Sequence, residues 1–249
     1  MMNATGAVAG TSTATSALAV LLDHGWIRCS RDNQEALDLA LMAYAVAEDP
    51  RVSLPVMVNV DGFALTHTYE SVEVPTADEA DAFLPPYRTA NKFDFENPVN
   101  IGYSAGPDFN RYYQYWHHRD MLAVGAVVEE VEARFAEVFG RTYPGMVDAY
   151  LCEDADFVLV TLGSAAGLAR DVADELRAQG NEPACCASAT CGRCRRRSCP
   201  RRLPTQAVGV LEQDISFGGT GTVYANAGVA RPCRWHRATE RELHRRPRR

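Results

Sequence analysis

Residues 54–75, LPVMVNVDGFALTHTYESVEVP, constrain the fold more than any other stretch of this chain. Val56, Met57, Val58 and Val60 are apolar with almost no alternation, the pattern of a strand covered on both faces in a parallel sheet. The run stops at Asp61-Gly62 and opens into a polar loop carrying Thr66, His67 and Glu70. Loops just past the carboxyl ends of parallel strands are where open α/β sheets bind ligands. Asp61, Gly62, Thr66 and His67 are therefore candidates for a cofactor-side or interface loop. The alternative is that Asp61 and Thr66 hydrogen-bond the turn and His67 is a satisfied structural histidine.

The pattern around this strand predicts α/β units. Asp32 and Glu35 form a capping pair for a helix over 33–48. Ala36, Leu37, Ala40, Leu41, Tyr44 and Ala47 make its apolar face. Residues 76–116, rich in Pro, Asp, Asn and aromatics, read as a long surface connection. Tyr112, Tyr113, Tyr115 and Trp116 cluster near its end as anchors to the core or to a partner. A helix follows over 117–139, with Met121, Val124, Val127, Val128, Val131, Phe135 and Val138 at helical spacing and Gly140 as its stop. Glu129, Glu130, Glu132 and Arg134 fall mostly on its solvated face, and His117-His118 read as exposed caps at its start.

A second unit begins near Tyr143, with a strand over 157–162 and a helix whose buried face is Leu168, Val172 and Leu176. Gly163-Ser164 between them reads as a tight turn, with an anion-binding helix start as the alternative. The next strand is due at 183–190, and the sequence there, PACCASATCGRCRRRSCPRRLP, does not look like one. A parallel sheet lacking an interior strand leaves helix faces uncovered, so residues 143–249 are expected to pack poorly. Ala207–Leu211 reads as a strand again, ahead of Gly218, Gly219 and Gly221.

The segment between invites a metal reading, because Cys191-x-x-Cys194 has ligand spacing and Cys185, Cys186 and Cys199 are nearby. No second pair completes it, and arginines replace the apolar shell such a site needs, so no metal is assigned. Charge divides the chain sharply. Residues 1–183 hold 11 Lys/Arg against 28 Asp/Glu, and residues 184–249 hold 14 Arg against 4 acidic residues. A basic tail suggests nucleic acid, yet no reading motif accompanies it, and a segment this poor in apolar residues is expected to be disordered. Cys29 and Cys152 are isolated and read as small buried residues.

Four segments agree in order with one family. Gly25-Trp26-Ile27, NQEALDLALMAYAVAED at 33–49, the stretch 54–75 and AVGVLEQDISFGGTGTV at 207–223 together resemble the α subunit of pyruvate (2-oxoacid):ferredoxin/flavodoxin oxidoreductases. The resemblance implies an α/β fold made of two parts. Residues 25–142 would be the C-terminal part of a thiamine-diphosphate pyrimidine-binding-type domain, with its long connection and helix. Residues 143–226 would be a transketolase C-terminal-like domain, incomplete, with an aberrant Cys/Arg segment at 184–206. Residues 1–24 match no part of the family and receive no structure, being disordered or out of frame, and 227–249 form a basic tail.

The same resemblance explains the Cys/Arg segment. Codons for residues 183–195 read two nucleotides later permit G-L-L-R-V-R-D-V-R-P-L-P, similar to the family's GLLRVRxFRPFP. A reading frame that slips near Pro183 and returns before Ala207 is expected, and the tail after Asn226 has the same out-of-frame character.

Membership implies oxidative decarboxylation of a 2-oxoacid to an acyl-CoA, with electrons passed to ferredoxin. The complete enzyme would use thiamine diphosphate, Mg and iron–sulfur clusters, and would join this chain to β and γ/δ-type subunits, coenzyme A and ferredoxin. The family's activating glutamate and its substrate-binding Thr and Arg match nothing here, so the chain is expected to begin after them. Alone it is expected to bind none of these cofactors and to be inactive. Asp61, Thr66 and His67 sit where the family has a similar DGF…(S/T)H, and Glu212 and Asp214 resemble its VLE(K/R)D…G motif, where they are mainly structural. Two further readings are a non-catalytic subunit-docking fragment and, last, a Cys/Arg metal or nucleic-acid module. No apolar run reaches membrane-spanning length and no signal peptide is seen, so a cytoplasmic protein with neither membrane nor nucleic acid as partner is expected.

Overall fold

The computed structural model describes residues 2–4, 26–88, 93–98, 106–143, 145–155, 157–180, 183–187, 190–191, 207–212, 221 and 223–224. The chain builds two sheets. The first has strand order β1-β3-β2-β7, formed by β1 (Met2–Ala4), β2 (Trp26–Cys29), β3 (Val56–Asp61) and β7 (Thr190–Cys191). β1 and β2 both run parallel to β3, and β7 adds to the outer edge of β2 in the opposite direction. The second has order β4-β6-β5-β8, with β4 (Asp148–Tyr150), β5 (Phe157–Thr161), β6 (Pro183–Ala187) and β8 (Ala207–Val210). β6 and β8 flank β5 in parallel, and β4 closes the β6 edge antiparallel.

The helix α1 (Asn33–Ala47) crosses from β2 to β3. Asp32 caps it by accepting from the Glu35 amide at 2.7 Å, while Glu35 reaches back to the Arg31 amide at 2.8 Å. That pairing follows the capping-box logic shifted by one residue. The buried face is Ala36, Leu39, Met42, Ala43, Ala45 and Val46. It is rotated from the face expected, and Tyr44 points outward at 62% exposure. In place of the expected row of Leu37, Leu41 and Tyr44, the row of Leu39, Met42 and Val46 supplies the large side chains that enter the main core.

The connection after β3 is more ordered than expected. Thr76 and Glu79 form a reciprocal capping box that starts a short helix, α2 (Ala77–Phe83), and Phe83 is fully buried. The long helix α3 (Pro107–Phe139) begins ten residues before the expected start. Pro107 supplies the fixed φ of a first helical position, and Gly140, at φ +68°, ends the helix with its amide donating to the Ala136 carbonyl. The aromatic cluster at 112–116 thus lies on a helix, and His117-His118 sit inside it rather than at its start. Val124, Val127, Val128, Val131 and Phe135 are buried as expected, and they join Leu39, Met42, Val46, Val52, Val58 and Phe83 in the main core. Phe135 packs edge-on to Phe83 at 5.2 Å and tilted against Phe139 at 4.5 Å.

Two expectations for the second unit fail. The absent strand is present: Pro183–Ala187 pairs with β5 in parallel through five residues. The pairing rests on backbone hydrogen bonds, which do not require Val or Ile in the strand. The helix α4 (Ser164–Ala178) also turns a different face inward. Ala166 and Ala173 are buried, whereas Leu168 is 67% and Val172 45% exposed. Cys194, Cys199, Asp214, Gly218, Gly219, residues 5–25 and the tail 227–249 lie outside the described residues. No described helix is long and apolar enough to cross a membrane.

Candidate functional site

The carboxyl ends of the parallel strands of the two sheets meet. Cys29 at the end of β2, Leu162 just past β5 and Val223 share one buried cluster, with Met57, Val160 and Val210 against it. Asp61 ends β3 at this junction, and its carboxylate Oδ2 accepts from the Ser164 amide at 2.7 Å. The Ser164 hydroxyl donates to the same oxygen. An aspartate at the first turn of a helix satisfies orphan amides and complements the positive end of the dipole. The anion at the start of α4 is therefore the chain's own.

Gly163 makes this contact feasible. Its φ is +66°, and a Cβ there would lie 2.8 Å from Asp61 Oδ2. Any other residue would both strain the backbone and displace the carboxylate. Gly167 in the next turn approaches the Arg31 carbonyl, where a Cβ would sit at 3.8 Å. Small residues on α4 thus face the end of the first sheet.

The loop after Asp61 is held by local bonds. Gly62 is buried, and the amides of Ala64, Leu65 and His67 donate to the carbonyls of Gly62, Asp61 and Phe63. Phe63 adopts φ +68°. Thr66 Oγ1 accepts from the Phe63 amide at 2.9 Å and lies 3.0 Å from His67 Nδ1. The His67 ring stacks on Phe63 at 5.0 Å, and both side chains are exposed. Farther along, Glu70 accepts from the Asn33 amide, while Gln34 and Glu73 exchange two hydrogen bonds. These contacts tie the loop to the start of α1. Of the four candidate residues, the structure joins Thr66 to His67 within the loop. It aims Asp61 across the junction, away from both.

Ion pairs inside the body carried a weaker sequence signal. Arg28, in the middle of β2, donates to Glu132 at 2.7 Å, both nearly inaccessible. Glu132 thus leaves the solvated face assigned to it. Burial pushes its carboxyl above the usual range, and Arg28 partly offsets that. Asp38, fully buried, accepts from Arg141 at 2.6 and 2.9 Å and from the Tyr143 hydroxyl at 2.6 Å. Burial, then this bond, raise the Tyr143 phenol. Asp148 lies between Arg31, at 3.5 Å, and Arg170. A charged residue inside an apolar period, such as Glu132 four after Val128, was the available clue. Cys29 is buried beside Asn59, which donates to its sulfur at 3.7 Å. Burial pushes the thiol up to about 12, so it is no nucleophile near neutral pH.

Glu212, just past β8, accepts from the amides of Val223 and Tyr224 at 2.7 and 3.0 Å. It resembles Asp61's device, a carboxylate at a strand end that accepts from backbone N–H, here from two of them.

Thiamine diphosphate needs a carboxylate free to bond its aminopyrimidine and a donor set for the diphosphate-bound metal. The buried carboxylates Glu35, Asp38, Glu132 and Asp148 are already engaged by the chain's own arginines or amides. Among the described residues no group of three or more His, Cys, Asp or Glu is placed to hold a metal ion. The described residues do not fit the cofactor.

Residues 1–133 match the family model described as pyruvate flavodoxin/ferredoxin oxidoreductase, thiamine diphosphate-binding. The match starts at residue 1, so residues 1–24, expected to lie outside the family, fall inside it. The chain is 39% identical over 212 residues to the pyruvate synthase subunit PorA of Pyrococcus horikoshii, covering 84% of this chain and 53% of the relative. It is 40% identical over 159 residues to the PorA subunit of Methanothermobacter thermautotrophicus, covering 64% and 41%. Against the ketoisovalerate oxidoreductase subunit VorA of Pyrococcus horikoshii, identity is 38% over 160 residues, covering 64% and 40%. The chain spans about half the length, or less, of these curated relatives. With the family model matching more than half of its residues, the chain belongs to the thiamine diphosphate-binding family of pyruvate flavodoxin/ferredoxin oxidoreductases.

Proposed function

We propose that this chain is part of the α subunit of a 2-oxoacid:ferredoxin oxidoreductase, and that within it the chain supplies scaffold and subunit contact rather than reacting groups. The family match across β2, α1, β3 and the following loop carries the first half of this reading. The second half is supported by the strand ends: Asp61 is bonded to Ser164, and every buried carboxylate named above has an internal partner. The assembled enzyme would decarboxylate a 2-oxoacid on thiamine diphosphate, pass two electrons through iron–sulfur clusters to ferredoxin, and transfer the acyl group to coenzyme A. The relatives' names point to pyruvate and to branched 2-oxoacids alike. In this reading the cofactor contacts come from outside the described residues. Residues 25–142 form the pyrimidine-type part. Residues 143–226 form the transketolase-like part, in keeping with the parallel order of β6, β5 and β8. Thr66 and His67 then shape an interface loop.

The test is reconstitution. The chain is produced with the remaining subunits of such an enzyme, and pyruvate- and coenzyme A-dependent reduction of ferredoxin is followed. Stable co-purification, with no activity from the chain alone, is expected. A chain that never joins the complex would overturn the reading, as would one that turns over substrate unaided. Resequencing the coding DNA tests the frame slip: compensating single-nucleotide changes near codons 183 and 206 are expected.

A further inference from the structure

Arg28 sits in the middle of β2, 3% exposed, against Glu132 of α3. Its Nη2 donates to Glu132 Oε1 at 2.7 Å. Its Nε is fully buried and, among the described residues, finds no acceptor. A guanidinium N–H left unmet inside a core is costly, because water hydrates that group in the unfolded chain. Arg28 and Glu132 both line one small cavity of about 10 Å³, whose other walls are buried side chains of α1 and α3, Ala43, Val46 and Val128 among them. That volume is about one water sphere. A purely apolar hole stays dry, whereas this one has a charged donor and a carboxylate on its wall.

We propose that this cavity binds a single water molecule, which accepts from Arg28 Nε and donates to the Glu132 carboxylate. An ionised carboxylate offers about four acceptor positions. Arg28 and the Gly145 amide occupy part of that capacity and leave room for a further donor. Arg28 and Glu132 together meet the minimum of polar partners that a buried water needs. The volume admits no larger molecule, and the paired charges exclude ions of either sign, since Glu132 repels an anion and Arg28 a cation. Immobilising a bridging water costs less than burying the unmet donor. The salt bridge is thus a unit of three members. The water lets β2, α1 and α3 close round a guanidinium whose Nε no described side chain reaches.

An atomic-resolution crystal structure of the full chain tests this. An ordered water is expected within about 3.2 Å of both Arg28 Nε and a Glu132 oxygen. Magnetic relaxation dispersion of the water oxygen counts long-lived internal waters in solution. Val46→Ile adds one methylene to the cavity wall and keeps both polar groups, and it should hold one such water fewer than the native chain. Arg28→Met/Glu132→Leu makes the walls apolar and should lose the same water. Cooperative circular dichroism melts show that each variant is folded, and the native crystal decides even where a variant is not. Four outcomes overturn the proposal: a native cavity without water density, an Arg28 Nε that donates to a protein atom, an anomalous peak in the cavity after a bromide soak, or an unchanged count of long-lived waters in either folded variant.

Discussion

The two sheets of this chain hold their helices by opposite means. Around the first, α1 and α3 interlock large side chains, with Leu39, Val46, Val127, Val128 and Phe135 at 1% exposure or less. At the second, α4 buries Ala166 and Ala173 and leaves Leu168 and Val172 outside. Its seat is set by a polar cap and by small residues: Asp61 on Ser164, Gly163 with its positive φ, and Gly167 against Arg31. Apolar periodicity identifies a helix in both cases. Which face turns inward is decided by what the helix must approach. Close approach to a sheet end selects glycine and alanine, whereas contact between helices selects branched and aromatic side chains.

The sharpest way to break this comparison is to truncate Phe135. Phe135→Ala removes a ring with no exposure that touches Phe83, Phe139 and Tyr143, and should cost about 3–5 kcal/mol, read as a lowered denaturant midpoint. Glu132→Gln leaves the Arg28 guanidinium buried without its counter-charge, and a loss of about 3 kcal/mol is expected. Replacing both, as Arg28→Met/Glu132→Leu, should recover most of that loss, since an apolar pair of similar volume avoids the desolvation of both ions.

A smaller effect concerns pH. Burial raises the Glu35 carboxyl above its usual range. A carboxyl whose folded-state pKa is raised contributes stability that is present below the unfolded pKa and lost as pH rises through the folded one. Glu35→Gln keeps an acceptor for the Arg31 amide and removes the titration. Relative to the native chain, this variant should therefore gain stability as pH rises above the ordinary glutamate value of about 4.3, as followed by urea unfolding at each pH. Leu168→Ala marks the low end: at 67% exposure, a change within about 0.5 kcal/mol is expected. A large loss there would show that α4 uses its apolar row after all.

Much of the first unit was legible in the sequence, because its signals are local and redundant. An apolar run set β3, Asp32 and Glu35 set the start of α1, and the valine row with Gly140 set the end of α3. The early start of α3 was hidden by its aromatics, which read as loop anchors, although Pro107 is a standard first helical residue. The strand at Pro183–Ala187 was hidden by composition: nothing in PACCA announces β structure, and its parallel neighbour β5 recruits it. The loop does begin where β3 ends at Asp61, as the apolar run and its Asp61-Gly62 stop implied. The partner of Asp61 was not legible, since Ser164 lies 103 residues away. Thr66 and His67 were read as neighbours in a turn, and that contact is local.

Native-state hydrogen exchange on Asp61→Ala tests most directly the claim that the end of β3 is closed by the chain itself. Losing the cap should cost about 1–2 kcal/mol and be felt locally. Protection in the first turn of α4, Ser164–Leu168, should fall by roughly tenfold or more, while Val124–Phe135 of α3 keeps its native protection. Unchanged exchange at Ser164–Leu168 would contradict the account and return Asp61 to the set of groups available to a ligand.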